Sequence, residues 1–283
     1  YRDVSNTIRE IFRGVTPLIE PVSLDEAYLD VTKQTLDFDH AEAVAKRIRA
    51  DIKSQTQLTA SVGIGPNKFL AKVASDFDKP DGMFVIYPRE VEMFLEPLPI
   101  RVIPGVGKRT EERLTELGVV TIADFKQKSI GEVQGLIGEK HGERLYYLAR
   151  GVDYNPVMTE RRRKSLSAER TFYRDIDDKK EMKFILRELA QEVGVDLQKA
   201  NMVGKTVGIK VRLDNFQVYT RALTLDHYTN KCGEIGTVAC HLLGKVGFYK
   251  RKVRLLGVRV SGFYGESAEQ YLSSQARQLT FWD

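Results

Sequence analysis

The chain has 283 residues, of which 42% are hydrophobic and 29% charged, a composition that allows two or three domains and excludes a mostly disordered protein. It contains no uncharged apolar stretch of the ~18 residues that a membrane helix needs, and no secretory signal pattern at its start. Its two cysteines, Cys232 and Cys240, are too few for a disulfide framework or a structural zinc site, so we expect a reducing, cytoplasmic location.

The net charge of +5 is unevenly distributed along the chain. Residues 1–152 carry 21 basic and 23 acidic side chains, whereas residues 153–283 carry 23 basic and 16 acidic ones. An excess of positive charge in one part favours a polyanionic partner, because Lys and Arg displace counterions from phosphates. A basic surface that only keeps the protein in solution explains the same charge equally well, so charge alone leaves both interpretations open.

The predicted elements change character along the chain, which indicates an α+β multidomain fold. In residues 1–88, predicted strands alternate with helices, a pattern typical of an α/β layer with a central sheet. Residues 89–152 contain short helices separated by Gly and Pro, which predicts a small all-helical domain. Residues 153–164 contain a Pro and a basic run and are predicted to be a linker. The elements in residues 165–262 follow the β-α-β-β-α-β order of a ferredoxin-like unit, and a polar tail follows over residues 263–283.

Two adjacent carboxylates, Asp25 and Glu26, lie where the apolar alternation of the predicted strands changes phase. Apolar residues occupy even positions up to Leu24 and odd positions from Ala27 onward, so the backbone must turn or bulge between them. Because neighbouring side chains of a regular strand face opposite sides, the two carboxylates converge only at such a turn. Converging carboxylates suit Mg²⁺, which binds one or two of them together with substrate phosphates. The alternative is an ordinary acidic surface turn.

A glycine turn at residues 63–67 leads from a predicted strand into a helix, and helix N-termini can bind phosphate. The turn lacks the lysine spacing of the P-loop nucleotide hydrolases, so we set that class of enzyme aside. The next turn, at residues 78–82, contains Lys79, which could direct a positive charge at a triphosphate. An exposed loop lysine without a ligand is the alternative.

A second glycine-rich turn contains Gly105, Val106, Gly107 and Lys108 and joins two short amphipathic helices. Its glycines allow positive φ and close approach, so we expect it to expose consecutive backbone amides, to which the following helix adds its positive end. A helix-hairpin-helix of this kind binds a DNA phosphate without reading bases. The alternative is an ordinary turn between helices.

The predicted strand at residues 206–213 places apolar side chains at odd positions, and Lys210 and Arg212 lie among the even ones. If two helices cover the apolar face, the opposite face is open and cationic. Such a face could lie along DNA, with Arg161, Arg163 and Lys164 of the linker following the phosphate backbone. A solvated sheet face without a ligand explains the pattern equally well.

The chain ends with a short apolar segment that contains Gln278, Leu279, Phe281 and Trp282. Large apolar residues at an exposed terminus favour a peptide that docks into a hydrophobic pocket of a partner. The alternative is that the two aromatic residues pack onto the core of the chain itself.

Taken in order, these motifs resemble the Y-family translesion DNA polymerases, and in particular their bacterial DinB class. The resemblance covers nearly the whole chain, and the S-L-D-E-A block with the later K-P-D-G is its most specific part. The segments that carry it are Ser23-Leu-Asp-Glu-Ala-Tyr-Leu-Asp30, Leu58-Thr-Ala-Ser-Val-Gly63, Lys68-Phe-Leu-Ala-Lys72, Lys79-Pro-Asp-Gly82, Pro104-Gly-Val-Gly-Lys108, Arg163-Lys-Ser165 and Glu169-Arg-Thr171.

The resemblance implies a partial palm over residues 1–88, a thumb over 89–152 and a little finger over 165–262. It assigns Asp25 and Glu26 to two catalytic Mg²⁺ ions and Lys79 to the incoming deoxynucleoside triphosphate. It assigns primer-template DNA to the thumb and the little finger, including Arg170 and Thr171. The tail resembles the peptide with which such polymerases bind the replicative sliding clamp.

The implied activity of the parent protein is low-fidelity, template-directed DNA synthesis across damaged DNA. In the family, a first palm strand with another metal-binding Asp, and the fingers, precede the helix that opens this sequence. We therefore expect these 283 residues alone to bind DNA, as a monomer, without extending a primer. The competing hypothesis is a non-catalytic DNA-binding and clamp-docking module, which needs only the hairpin, the basic unit and the tail.

Overall fold

The computed structural model describes residues 1–35, 37–160, 162–247 and 251–265. The chain divides into two compact units, Tyr1–Arg161 (unit 1) and Arg162–Asp283 (unit 2). Within the described ranges, none of the helices combines the length and the apolar character needed to cross a bilayer.

Unit 1 begins with two helices that pack together and a hairpin that lies between them in the sequence. The helices are α1 (Arg2–Arg13) and α2 (Phe38–Thr56), and the antiparallel hairpin consists of β1 (Ile19–Pro21) and β2 (Ala27–Leu29). Pro21 pairs with Ala27 at the end of this hairpin, so residues 22–26 form its turn.

A β-α-β segment follows, with β3 (Val62–Ile64) and β4 (Met83–Val85) parallel to each other and α3 (Lys68–Phe77) connecting them. The structure differs here from the predicted single central sheet. In the described part of unit 1, the strands form two separate two-stranded sheets, β1-β2 and β3-β4. Each strand has only three residues and pairs along one edge, so the short apolar runs in the sequence do not reveal which strands are neighbours.

Gly63 lets α3 lie directly on β3. A Cβ atom at this position would be 2.1 Å from the carbonyl oxygen of Ala71 and 2.2 Å from the backbone nitrogen of Ser75. Both are backbone atoms of α3, so any larger residue would push the whole helix away from the strand. The start of the helix is fixed by Asn67, whose side chain accepts the amide of Leu70 at 3.0 Å. Together these contacts position the lysines of α3.

The elements between residues 88 and 148 are helical, as predicted. The beginnings of two of these helices are closed by capping boxes, in which Thr121 and Ser129 exchange hydrogen bonds with the third residue of the helix. The segment consists of two short 3-10 turns (Pro88–Glu90 and Ile100–Val102) and the helices α4 (Val91–Leu95), α5 (Lys108–Thr115), α6 (Ile122–Lys126), α7 (Ile130–Ile137) and α8 (Glu139–Leu148).

One hydrophobic core runs through the β-α-β segment and the helical segment of unit 1. It joins Phe69 and Leu70 of α3 to Leu114, Phe125 and Leu145 of the later helices. The boundary between a palm and a thumb at residue 88 falls within this core and stays a prediction.

Unit 2 has the predicted β-α-β-β-α-β order. Its elements are β5 (Ser165–Ile176), α9 (Lys179–Lys199), β6 (Gly204–Leu213), β7 (Val218–Thr229), α10 (Cys232–Gly244) and β8 (Val253–Phe263). The strands form one antiparallel sheet in the order β5-β8-β6-β7, so β8 lies between the two strands that α9 connects, as in a split βαβ unit.

The alternation predicted for β6 is confirmed. Its odd positions from Val207 to Leu213 are buried, and both helices pack on that side of the sheet. Burying each such side chain contributes about 1.5–3 kcal/mol, so a one-residue slip of the strand, which would expose all of them, is strongly disfavoured. The predicted inner face of α9 is also buried, namely Met182, Ile185, Leu186, Leu189, Val193 and Leu197.

A charged cluster connects β7 to the first turn of α10. The Nδ1 atom of His227 is 2.7 Å from Oδ1 of Asp226, and its Nε2 atom is 2.7 Å from Oε1 of Glu234. The hydrogen bond with Asp226, and after it the bond with Glu234, raises the pKa of His227 above its ordinary value.

Candidate active site and nucleic-acid interface

The turn at residues 22–26 carries both predicted metal-binding carboxylates. The amide of Val22 donates to the carbonyl oxygen of Glu26 at 2.9 Å and closes the turn. Ser23 holds its tip, because its hydroxyl oxygen accepts the amides of Asp25 (3.2 Å) and Glu26 (3.0 Å). The turn expected from the change of phase is therefore confirmed, and it leaves both carboxylates exposed at the end of the hairpin.

Asp25 is held in its ionised form. The hydroxyl of Ser23 donates to the carboxylate, and this bond, followed by a backbone hydrogen bond, lowers the pKa of Asp25. The positive charges of Lys79 and Lys72 lower it further. The predicted triphosphate-binding lysine and the predicted metal ligand therefore act on each other electrostatically.

Lys72 of α3 connects Glu26 to this cluster. Its ammonium group is 2.8 Å from Oε1 of Glu26 and 3.4 Å from Oδ2 of Asp76, and Asp76 in turn pairs with Lys79 at 2.5 Å. Partial burial opposes the charge on Lys72, but the hydrogen bond with Glu26 and the nearby charge of Asp76 outweigh burial and raise the pKa of Lys72. The turn and the end of α3 thus form one network of alternating charges.

The oxygen ligands in this network suit a hard divalent cation. Asp25 and Glu26 are adjacent, exposed carboxylates, and Mg²⁺ commonly binds one or two carboxylates together with substrate phosphates. In the portion of the chain that the structure describes, there is no group of three or more Asp, Glu, His or Cys side chains arranged to hold a metal ion. The two carboxylates therefore fit a site to which a substrate adds further oxygens, and not a closed cage of protein ligands.

The second glycine-rich turn has the backbone geometry of an exposed hairpin, with one difference from the prediction. Gly105 has φ +110°, as expected, and Gly107 precedes α5 without providing a side-chain cap. The amides of Val106 and Gly107, however, donate to carbonyl oxygens of Ile103 and Gly105 within the turn, at 3.0 and 3.2 Å. The amides open to a ligand are therefore the first ones of the helix, beginning at Lys108.

Val106 serves this hairpin as an anchor. Its side chain is buried in the core of unit 1, so it fixes the turn and does not face a ligand. Lys108, in contrast, is 89% exposed and 3.9 Å from Glu112 in the next turn of α5.

The open face of the sheet in unit 2 has side chains arranged in rows across all four strands. One row consists of hydroxyl side chains, and each of the others contains one cation, together with Glu169 in the third row and with Leu255 and Val218 in the fourth. The rows are Ser165–Ser261–Thr206–Thr224, Ser167–Arg259–Gly208–Ala222, Glu169–Gly257–Lys210–Thr220 and Thr171–Leu255–Arg212–Val218. The register thus places Lys210, Arg212 and Thr171 on one face of the sheet. Lys210, Glu169 and Arg259 line a concave part of that face.

Arg170 does not belong to this surface, and its assignment to DNA stays a prediction. It lies on the opposite side of β5 from Thr171, and its two terminal nitrogens pair with Glu188 (2.7 Å) and Glu192 (2.9 Å) of α9. Those bonds raise the pKa of Arg170, with the Glu188 bond as the largest cause. Arg170 therefore attaches β5 to α9.

Of the other predicted contacts, Arg163 and Lys164 lie exposed just before β5. Arg161 and the clamp-binding residues Gln278, Leu279, Phe281 and Trp282 lie outside the described residues, so those assignments stay predictions.

Sequence reasoning missed two cations that the structure places at these sites. Arg259 projects from β8 onto the open face, and the alternation of Val258 and Val260 around it carried that information. The partnership of Lys72 with Glu26 left no such signal, because it joins residues 46 positions apart, one in the turn between β1 and β2 and the other on α3.

Three families match the chain in consecutive segments. The impB/mucB/samB family matches residues 1–76, the thumb domain of DNA polymerase iota matches residues 101–153, and the C-terminal domain of the impB/mucB/samB family matches residues 163–279.

Curated relatives and solved structures agree with these matches. The DNA polymerase IV of Xanthomonas euvesicatoria pv. vesicatoria (strain 85-10) is 43% identical over 264 residues, which are 93% of this chain and 73% of the relative. The DNA polymerase IV of Alkalilimnicola ehrlichii is 43% identical over 283 residues, which are 100% of this chain and 78% of the relative.

Among solved structures, a Y-family DNA polymerase chimera, Dbh-Dpo4(243-245)-Dbh, matches with a TM-score of 0.85 and 30% identity, covering 92% of this chain and 75% of the chimera. An insertion ternary complex of Dbh DNA polymerase matches with a TM-score of 0.61 and 29% identity, covering 93% of this chain and 76% of that protein. Together these matches show that the chain belongs to the Y-family DNA polymerases.

Proposed function

We propose that this chain takes part in template-directed DNA synthesis across damaged DNA, by metal-assisted nucleotidyl transfer. The observation that carries the proposal is the Asp25-Glu26 turn, placed beside Lys72 and Lys79 in a chain that is 43% identical to DNA polymerase IV over most of its length. Membership of the family implies divalent metal ions, DNA and nucleotides as cofactor and substrates.

Asp25 and Glu26 are the residues that would hold the metal, and Mg²⁺ is the ion we propose for them. Bound Mg²⁺ supplies activation of the primer 3′-hydroxyl and charge neutralisation at the triphosphate. Ser23 orients the Asp25 carboxylate, and its hydrogen bond lowers the pKa of Asp25. Lys72 holds Glu26 at the end of the hairpin while the metal and the nucleotide are absent.

Lys79 is suited to the phosphates of the nucleotide. Its ammonium group pairs with Asp76, a partner that is half exposed and therefore easily replaced by a more highly charged group. A triphosphate beside Asp25 would lie within the electrostatic reach of Lys79, as Asp25 itself does. We therefore propose that Lys79 transfers from Asp76 to the triphosphate when a nucleotide binds.

Duplex DNA is the proposed ligand of the glycine-rich turn before α5 and of the open face of the sheet in unit 2. The first amides of α5, with Gly105, Gly107 and Lys108 around them, suit a backbone phosphate. Lys210 and Arg212 on the open face, and Arg163 and Lys164 before it, add phosphate contacts that carry no sequence information. Such contacts fit an enzyme that must accept any template.

Two further parts of the proposal concern assembly. We propose that the segment from Gln278 to Trp282 binds the replicative sliding clamp, and that the chain itself is a monomer. Analytical ultracentrifugation measures the second claim, because a concentration-dependent rise in mass would contradict it.

The experiment that tests the function compares Asp25→Asn with Asp30→Asn in the full-length protein. Asp30 lies at the opposite end of β2, where its Oδ1 atom accepts a hydrogen bond from the amide of Thr32 at 3.0 Å. The side-chain oxygen of Asn can accept the same hydrogen bond. We expect Asp25→Asn to abolish primer extension with Mg²⁺ while leaving duplex affinity intact, and Asp30→Asn to retain both activities. Primer extension that survives Asp25→Asn would exclude Asp25 as a required metal ligand, whereas an unsubstituted protein that binds duplex DNA without extending a primer would favour the non-catalytic DNA-binding module.

A further inference from the structure

We propose that Glu169 is a positioning residue that competes with DNA phosphate for Lys210, so that the open face of unit 2 binds duplex DNA more weakly than its cations alone would. This inference rests on the proposed function of that face in DNA binding. In this proposal, Glu169 weakens the contact between Lys210 and a DNA phosphate, so that the contact stays reversible.

The two side chains meet across a strand that separates them. Glu169 is on β5 and Lys210 is on β6, and both are in register with Gly257 of the intervening strand β8. The ammonium group of Lys210 is 2.9 Å from one carboxylate oxygen of Glu169 and 3.1 Å from the other, so the carboxylate binds it with both oxygens. A phosphate approaching Lys210 therefore meets a carboxylate that already occupies its place.

Gly257 makes this contact possible. A Cβ atom at Gly257 would be 2.8 Å from Cγ of Glu169 and 3.4 Å from its Cδ, so the Glu169 side chain lies directly over the glycine. Any larger residue in the middle of the row would lift Glu169 off the sheet and separate it from Lys210. In this row the side chain of Glu169 crosses over Gly257, which has no side chain of its own, and reaches Lys210 on the far strand.

The pair is accessible enough to be exchanged. The Lys210 side chain is 31% exposed and that of Glu169 is 39% exposed, and an ion pair at this level of exposure stabilises the fold only slightly. A DNA phosphate can therefore displace Glu169 at a small cost. As long as Glu169 stays paired with Lys210, the charge of Lys210 is neutralised, and Lys210 displaces no counterion from the DNA.

The test measures the affinity of the whole chain for a DNA duplex as a function of salt, by fluorescence anisotropy, in four single variants and one double variant. Glu169→Gln removes the competing charge, and Gly257→Ala displaces the side chain while keeping its charge. Lys210→Met removes the cation. Glu181→Gln is the matched control, because it makes the same charge change at an exposed position in the first turn of α9, the helix that covers the opposite face.

We expect Glu169→Gln to tighten duplex binding about two- to fivefold at low salt, the range for loss of a partly exposed ion pair. The slope of log affinity against log salt should steepen by about 0.9, the value for one added phosphate contact. Gly257→Ala should act in the same direction, Glu181→Gln should change little, and the double variant Glu169→Gln/Lys210→Met should lose the gain. Thermal denaturation of each variant shows whether unit 2 stays folded.

Three results would overturn the proposal. Weaker binding by Glu169→Gln would mean that the carboxylate orients Lys210 toward DNA and does not compete with it. Equal gains for Glu169→Gln and Glu181→Gln would mean that only net charge matters. If Lys210→Met leaves both affinity and salt slope unchanged, the face does not bind DNA and the proposed function of that surface fails with it.

Discussion

Replacing Gly63 by Ala tests whether the close approach of α3 to β3 stabilises the β-α-β segment of unit 1. The new methyl group would lie 2.1 Å from a backbone oxygen and 2.2 Å from a backbone nitrogen of the helix, against the ~3.5 Å of an ordinary contact. Since backbone atoms cannot rotate away as a side chain does, the helix must move by roughly 1 Å or more. Overpacking usually costs about 1–3 kcal/mol, and we expect the upper end of that range here.

Gly131→Ala is the matched control for this substitution. Gly131 lies in α7, where a Cβ atom would meet nothing within 4 Å, so the same change should stabilise the helix by up to ~1 kcal/mol. Hydrogen exchange followed by mass spectrometry suits the measurement, because a chain of two units has no single unfolding free energy. We expect exchange in residues 68–77 to speed up about a hundredfold in Gly63→Ala, which corresponds to roughly 3 kcal/mol. A change of less than threefold would refute the reasoning.

Three further outcomes follow from individual contacts. The raised pKa of His227 contributes stability that is complete below its ordinary value of 6.5 and is lost as pH rises through the folded value, so urea denaturation of His227→Gln should show a flatter pH dependence above about pH 6.5 than the wild type. Lys72→Met should raise the affinity for Mn²⁺ in the absence of nucleotide about two- to fivefold, measured by calorimetry, because Glu26 loses a competing cation; unchanged affinity would contradict this role. Deleting residues 278–283 should abolish binding to the sliding clamp while leaving duplex affinity nearly intact, and surface plasmon resonance with an immobilised clamp distinguishes the two.

Local patterns in the sequence predicted the parts of this fold that depend on period and phase. The alternation around Val207 predicted the buried face of β6, and the change of phase at Leu24 predicted the acidic turn. The same reasoning could have placed Arg170 correctly, because it shares the even positions of β5 with Leu166, which is buried. Arg170 was assigned to DNA together with Thr171 because both belong to the motif Glu169-Arg-Thr171. A motif does not state which face of a strand each of its residues occupies.

Contacts between distant segments were beyond such patterns. The pairing of Glu26 with Lys72 requires the turn between β1 and β2 to lie beside α3, a placement that no local pattern in the sequence states. The pairing of Glu169 with Lys210 requires β8 to be inserted between their strands, an order that strand prediction does not give. In both cases the sequence shows the charged residues but not which of them form an ion pair.

Two of the cations proposed to bind phosphate are already paired with carboxylates. Lys79 is paired with Asp76 and Lys210 with Glu169, each through a contact of 2.9 Å or less. A polyanion must exchange these carboxylates for its own oxygens, so each contact contributes only the difference between two interactions of the same kind. The salt dependence of DNA binding should therefore correspond to fewer phosphates than the number of basic residues on the binding surfaces. A polymerase that advances along a template without reading its sequence needs contacts of this kind, because each must be broken again after every nucleotide.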